Sequence, residues 1–143
     1  MKVMFDTNVY ISFIRDRSHA GELQVRGTVK YISAITLMEL WAGARIKKAE
    51  RLVHQLQKPY VEARRVVTLD ANHYIAMGHF FAGLPRQYDK LAKMAGFVND
   101  VQIAFGAISI GAMLYTEDKD HFEIIKGGLK TLRVECLNTC HDG

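Results

Sequence analysis

Cysteine is scarce in this chain of 143 residues. The two present, Cys136 and Cys140, both lie near the C-terminus. A disulfide framework needs more cysteines, spread along the chain, so two free thiols in a reducing compartment are expected. Cys140-His141 has no second Cys/His pair to complete a tetrahedral zinc set. Proline is equally rare, at Pro59 and Pro85 only, and no Pro-rich linker, repeat or low-complexity segment interrupts the chain. Long apolar runs are missing too. The longest nearly uncharged stretch, 101–116, is short for a bilayer span and holds Gly106 and Gly111. At the N-terminus, Asp6 falls where a signal peptide would need its apolar core. No membrane association and a cytoplasmic location are therefore expected.

What remains is an ordinary globular composition, 49% hydrophobic and 24% charged, of a size that suits one domain. The domain is expected over 1–137, with 138–143 as a C-terminal tail. Nineteen Lys and Arg against fifteen Asp and Glu leave a net charge of +4. That permits a nucleic-acid partner without requiring one.

Short apolar runs alternate with helical patterns. Strands are expected at Val3–Phe5, Tyr31-Ile32, Arg65–Thr68, Ala112–Tyr115 and Leu132–Leu137. Helices are expected at 8–14, 19–26, 35–44, 47–57, from an Asp70 N-cap through Phe81, and over 98–110; 91–97 reads as helical or irregular. The 98–110 helix is apolar almost all round and so should be central. This alternation means an α/β fold with a mostly parallel central sheet of about five strands. In such sheets ligands bind outside the carboxyl ends of the strands, so the residues just after each strand carry the information.

Four separate segments place a carboxylate near one end of the sheet. Asp6 follows the first strand, Glu39 sits in the helix after the second, Asp100 opens the helix before the fourth, and Asp118 follows the fourth. Each has a purely structural reading. Asp6 suits a helix N-cap. Glu39 closes a Thr36-x-x-Glu39 capping box. Asp100 suits a first helical turn after an Asn99 cap. Asp118 suits a solvated acidic loop with Glu117, Asp120 and Glu123. Their conjunction argues otherwise. Two carboxylates about 4 Å apart repel by about 4 kcal/mol at an effective dielectric near 20. Bringing four together calls for a divalent cation or raised pKa values, and oxygen-rich clusters suit Mg²⁺ or Mn²⁺.

The motifs carry a resemblance. Val3-Met4-Phe5-Asp6-Thr7-Asn8 resembles the opening of a PIN domain, and Ser33 to Leu40, containing Glu39, is similar to its second motif. Asn99-Asp100-Val101-Gln102-Ile103-Ala104 resembles the third, and Leu114-Tyr115-Thr116-Glu117-Asp118 with Phe122 the fourth. Order and spacing agree over about residues 1–137, and the length resembles the VapC-type toxins of bacterial and archaeal toxin–antitoxin pairs. His121 departs from the pattern by standing between Asp120 and the aromatic Phe122. Thr-x-Asp spacing favours Asp118 as the fourth carboxylate, with Asp120 as the alternative.

The resemblance implies a PIN-like three-layer α/β/α fold and a metal-dependent endoribonuclease. One or two Mg²⁺ or Mn²⁺ ions would be held by Asp6, Glu39, Asp100 and Asp118, the same residues acting in catalysis. Thr7, Asn8 and Thr116 would orient them. It also implies an RNA substrate, a homodimer and a small antitoxin partner, for which the apolar faces of the helices in 35–57 suit a groove. Segment 45–65 carries Arg45, Lys47, Lys48, Arg51, Lys58, Arg64 and Arg65 against Glu50 and Glu62; seven cations against two acids leaves +5. Arg45, Lys47, Lys48 and Arg51 are candidate phosphate contacts, as are Arg15 and Arg17, expected in the loop after the first helix. Two rival classes stand beside this reading. One is a non-catalytic PIN-like RNA- or protein-binding module, whose acids serve as caps and salt links. The other is a phosphotransfer domain, disfavoured because a second Asp two residues after Asp6 is replaced by Asn8.

Overall fold

The computed structural model describes residues 1–138. The Cys140-His141 dipeptide and all but the first residue of the expected tail lie outside them. Five parallel strands form one sheet in the order β3-β2-β1-β4-β5. They are β1 (Lys2–Phe5), β2 (Val29–Ser33), β3 (Val66–Val67), β4 (Met113–Thr116) and β5 (Arg133–Cys136). Seven helices connect them: α1 (Thr7–Asp16), α2 (Ala20–Gln24), α3 (Ala34–Gly43), α4 (Lys47–Glu62), α5 (Ala71–Ala82), α6 (Ala95–Ile110) and α7 (Lys119–Gly128). Two short 3-10 turns, Arg86–Tyr88 and Leu91–Lys93, precede α6.

Side chains alternate across a strand, and the core divides accordingly. Val3 and Phe5 of β1 pack with Val9, Tyr10, Ile32 and Val53 on the face covered by α1 and α4. Met4, between them, joins Phe97, Val101, Ala104, Leu114 and Ile125 on the opposite face. Both faces of the sheet are thus covered, as parallel sheets require, and the expected three-layer architecture results. The α6 helix is central: Phe97, Val101, Ile103, Ala104, Phe105 and Ala107 are buried along it. It lies so close to the sheet that a Cβ on Gly106 would meet Val67 Cγ1 at 3.4 Å and Met4 Cε at 3.7 Å. Gly111 ends it in the left-handed conformation, φ 66°, which glycine adopts without penalty.

Several boundaries differ from expectation. The α4 helix runs past Pro59 to Glu62; a proline in the last turn removes one hydrogen bond near an end that is fraying anyway. The α6 helix starts at Ala95, not Val98. The α1 helix runs through Asp16, so Arg15 lies on it and only Arg17 follows, as its C-cap at φ 65°. The largest difference is α7, in a segment for which no element is expected. Phe122 and Ile125 are three apart and both buried, and burial of that short stripe outweighs the polarity of its neighbours.

Strand order reverses between β1 and β4, because the chain winds outward through β2 and β3 before returning to β4. The crevice at the carboxyl ends of β1 and β4 is therefore the topological switch point. Asp6 leaves β1 there, its backbone N–H donating to the Tyr115 carbonyl of β4 at 2.8 Å.

Candidate active site

Asp6 is 2% exposed. It caps α1, Oδ1 accepting from the Thr7 backbone N–H at 2.8 Å, while Oδ2 accepts from the Thr116 hydroxyl at 2.7 Å. The cap reading of Asp6 is met by Oδ1, and Oδ2 is bound by a second loop. Thr116, at the end of β4, also accepts from the Asp118 backbone N–H at 3.0 Å and the Asn8 amide at 3.4 Å. Asn8 in turn accepts from the Glu117 N–H at 3.1 Å. These bonds tie the loops after β1 and β4 into one unit.

Glu39 is not part of a capping box. Ser33 caps α3, its hydroxyl accepting from the Ile35 N–H, which leaves Glu39 two turns in and free to face the crevice. The Thr7 hydroxyl donates to Glu39 Oε1 at 2.7 Å and stands 3.1 Å from the buried Thr36 hydroxyl. Asn99 donates to Glu39 Oε2 at 3.4 Å. Asp100 is likewise no first-turn residue, since α6 begins five residues earlier. Its Oδ2 lies 2.7 Å from His121 Nδ1. Asp118 caps α7, Oδ1 accepting from the His121 N–H at 3.0 Å, and its Oδ2 lies 3.1 Å from the same Nδ1. Asp120, the alternative, is exposed in the first turn of α7.

Electrostatics follow from this convergence. Burial raises Asp6 from 3.8 to about 7; the Asp100 and Glu39 charges push the same way, against its bonds from Thr116 and Thr7. Burial, with the charges of Asp118 and Glu39, raises Asp100 from 3.8 to about 8. Among the described residues no Lys or Arg forms an ion pair with Asp6, Glu39, Asp100 or Asp118; the side chain in contact with two of them is the His121 imidazole. Four carboxyl groups from four segments, two of them held proton-bound near neutrality, make a pocket that a divalent cation would relieve. The oxygen donors fit Mg²⁺ or Mn²⁺. Asp100, Asp118 and His121 each offer a ligand atom, all within 4.8 Å of one another. Asp6 and Glu39 stand outside that trio but close enough for their charges to be felt.

The six cations are all exposed. Arg15 pairs with Asp16 at 3.3 Å, Arg17 lies over the Phe13 ring at 4.8 Å, and Arg45, Lys47, Lys48 and Arg51 line the start of α4. Two residues escaped the sequence reading. His121 stands out in the sequence only as a departure from the fourth motif, because no helix is expected between Tyr115 and Leu132; with α7 formed, His121 is one turn from Asp118 and on its face. His19, at φ 65°, pairs with Glu117 at 2.6 Å, both side chains largely buried. No sequence spacing signals that contact, which spans 98 residues.

A parallel α/β sheet with acids converging at its switch point defines a class of domains built to bind a cation or a phosphorylated ligand there. The sequence matches the PIN domain family over residues 3–127, and the chain belongs to that family. Its fold is similar to a chain of the DNA-bound VapBC complex from Salmonella typhimurium, with 30% identity and a TM-score of 0.67, covering 95% of this chain and 98% of that one. A VapBC2 chain from Rickettsia felis, bound to a fragment of promoter DNA, is 24% identical with TM-score 0.65, over 96% and 100% of the two chains. VapBC-1 from nontypeable Haemophilus influenzae shares the fold at 21% identity and TM-score 0.63, over 95% and 98%. Among curated proteins none matches the sequence significantly. No helix of the described residues is long and apolar enough to cross a membrane.

Proposed function

We propose that this chain is the toxin of a toxin–antitoxin pair, a metal-dependent endoribonuclease that acts in the cytoplasm. The observation that carries the reading is the set of four carboxyl groups converging on the switch-point crevice without a Lys or Arg partner among the described residues. A binding module that held these acids in salt links would pair them with such cations, and capping accounts for Asp6 and Asp118 but not for Glu39 and Asp100. Membership of the PIN family supports the nuclease class. Likeness to the Salmonella VapBC chain supports the pairing with an antitoxin.

Asp6, Glu39, Asp100 and Asp118 would hold one or two Mg²⁺ or Mn²⁺ ions. Bound there, the metal supplies neutralising charge for a phosphodiester and a water of lowered pKa. The protein's own part is orientation. Thr116 fixes Asp6 and the Asp118 backbone with one hydroxyl. Thr7 and Asn99 hold Glu39 from two sides. Asn8 holds the loop that carries Asp118. The raised pKa values keep Asp6 and Asp100 ready to exchange a proton for a cation near neutral pH.

RNA would enter along the basic surface from Arg15 to the start of α4. A cavity of about 400 Å³ links the two, lined by Ile11, Ile14, Arg15, Glu39, Ala49 and Val53 among others. That mostly apolar groove between α1, α3 and α4 is the proposed seat of an antitoxin segment, which there would sit beside Glu39 and close the site. A homodimer is part of the same proposal. The test is expression of wild type against Asp6→Ala in a bacterial host. Growth arrest with loss of RNA integrity for wild type alone is expected; equal growth and intact RNA in both would sink the toxin reading.

A further inference from the structure

We infer that His121 lends Nδ1 as a nitrogen ligand to the metal position between Asp100 and Asp118, biasing the centre toward first-row transition ions over Mg²⁺. The inference rests on the metal-dependent reading above. Asp118 Oδ1 is taken by the α7 cap, so Oδ2 is the oxygen left for the crevice, and that oxygen faces His121 Nδ1 at 3.1 Å. Asp100 brings Oδ2 to the same nitrogen at 2.7 Å from a different helix. Neighbouring ligand atoms at right angles around an ion with bonds of about 2.1 Å stand about 3 Å apart. The two distances from His121 Nδ1 match adjacent ligand positions, and all three atoms lie within 4.8 Å of one another.

The ring is also held in place. Phe97 meets it edge-on, centroids 5.3 Å apart and planes at 90°, and Phe97 is fully buried. The backbone N–H of His121 is bound to the same Asp118 that its side chain faces. A surface histidine making a chance ion pair has neither restraint. An imidazole nitrogen adds little to the binding of Mg²⁺, which takes oxygen ligands and retains water. It adds more for each ion from Mn²⁺ to Ni²⁺ along the first-row series. His121 thereby changes which ion occupies an otherwise all-oxygen pocket.

Two measurements on the metal-stripped protein test this. Pulsed electron paramagnetic resonance of added Mn²⁺ reads whether a ¹⁴N nucleus is directly coordinated in the wild type. Calorimetric titration with Mg²⁺, Mn²⁺ and Co²⁺ compares wild type, His121→Gln and Asp100→Asn. Directly bound ¹⁴N is expected in wild type and absent in His121→Gln. The Co²⁺-to-Mg²⁺ affinity ratio should fall at least about tenfold in His121→Gln, with Mg²⁺ affinity nearly unchanged. If wild type takes up Mn²⁺ and Asp100→Asn does not, yet no ¹⁴N coupling appears or the ratio is unmoved, His121 is no ligand and the metal-dependent reading survives. If wild type binds no divalent ion, both fall. The ¹⁴N signal needs no variant, so it decides even if His121→Gln folds poorly.

Discussion

Replacing Asp100 by asparagine should stabilise the metal-free protein at alkaline pH. Burial and the charges of Asp118 and Glu39 raise its folded-state pKa from 3.8 to about 8. Between those two values the folded state holds a proton that the unfolded state has released. Stability is then fully present below pH 4 and falls by about 1.4 kcal/mol per pH unit until pH 8, where the loss levels off. Over pH 5.5 to 8 this comes to about 3 kcal/mol from Asp100, a large share of the 5–15 kcal/mol typical of a domain. Asp6, raised to about 7 in part by the Asp100 charge, adds a smaller loss that also shrinks when that charge is removed. Relaxation and water penetration around a buried acid soften the effect, so about 3 kcal/mol is a ceiling. Asparagine keeps the shape and can still accept from His121. Urea denaturation in chelator at pH 5.5 and 8.5 reads the effect. Asp100→Asn should be within about 1 kcal/mol of wild type at pH 5.5 and on the order of 2 kcal/mol more stable at pH 8.5. Saturating Mn²⁺ should reverse the order by stabilising wild type alone, by about 2.7 kcal/mol at a hundred times Kd. A wild type that gains stability between pH 5.5 and 8.5 without metal, or a variant weaker by the same amount at both, would refute the reasoning.

Lys47→Glu with Lys48→Glu, both exposed at the start of α4, should weaken RNA binding without unfolding the chain. If both cations contact phosphates, the slope of log affinity against log salt should flatten by about 1.4 for a single strand; an unchanged slope would place the RNA elsewhere. Tyr60→Phe removes one member of a hydroxyl pair, 2.7 Å from Tyr10, whose side chain is almost wholly buried. Leaving the Tyr10 hydroxyl unpaired should lower stability by about 1–3 kcal/mol, readable as a fall in Tm with Mn²⁺ affinity unchanged, because the two hydroxyls bond each other and not the acids.

The opening scarcity of cysteine and proline, and the alternation of apolar runs with helical patterns, determined the α/β class and the parallel sheet. Local composition also made β1, the α6 helix and the Asp70 cap legible, because each depends on burial or capping within one short segment. Asp6, Glu39 and Asp118 could be singled out by position after a strand, with Asp120 as the alternative to Asp118, and Asp100 by its place on the helix leading into the fourth strand. Order and spacing were enough to suggest the family. Tertiary structure decided what those acids do to one another. The expected capping box of Glu39 and first-turn placement of Asp100 both fail, since helix starts depend on packing beyond the local pattern. The raised pKa values of Asp6 and Asp100, the Thr116 hydroxyl shared between two loops, and His121 between two carboxylates all join segments far apart in the chain. Such contacts have no periodicity to read. They exist because β1 and β4 lie side by side at the switch point while 107 residues of chain, from Asp6 to Ala112, wind between them.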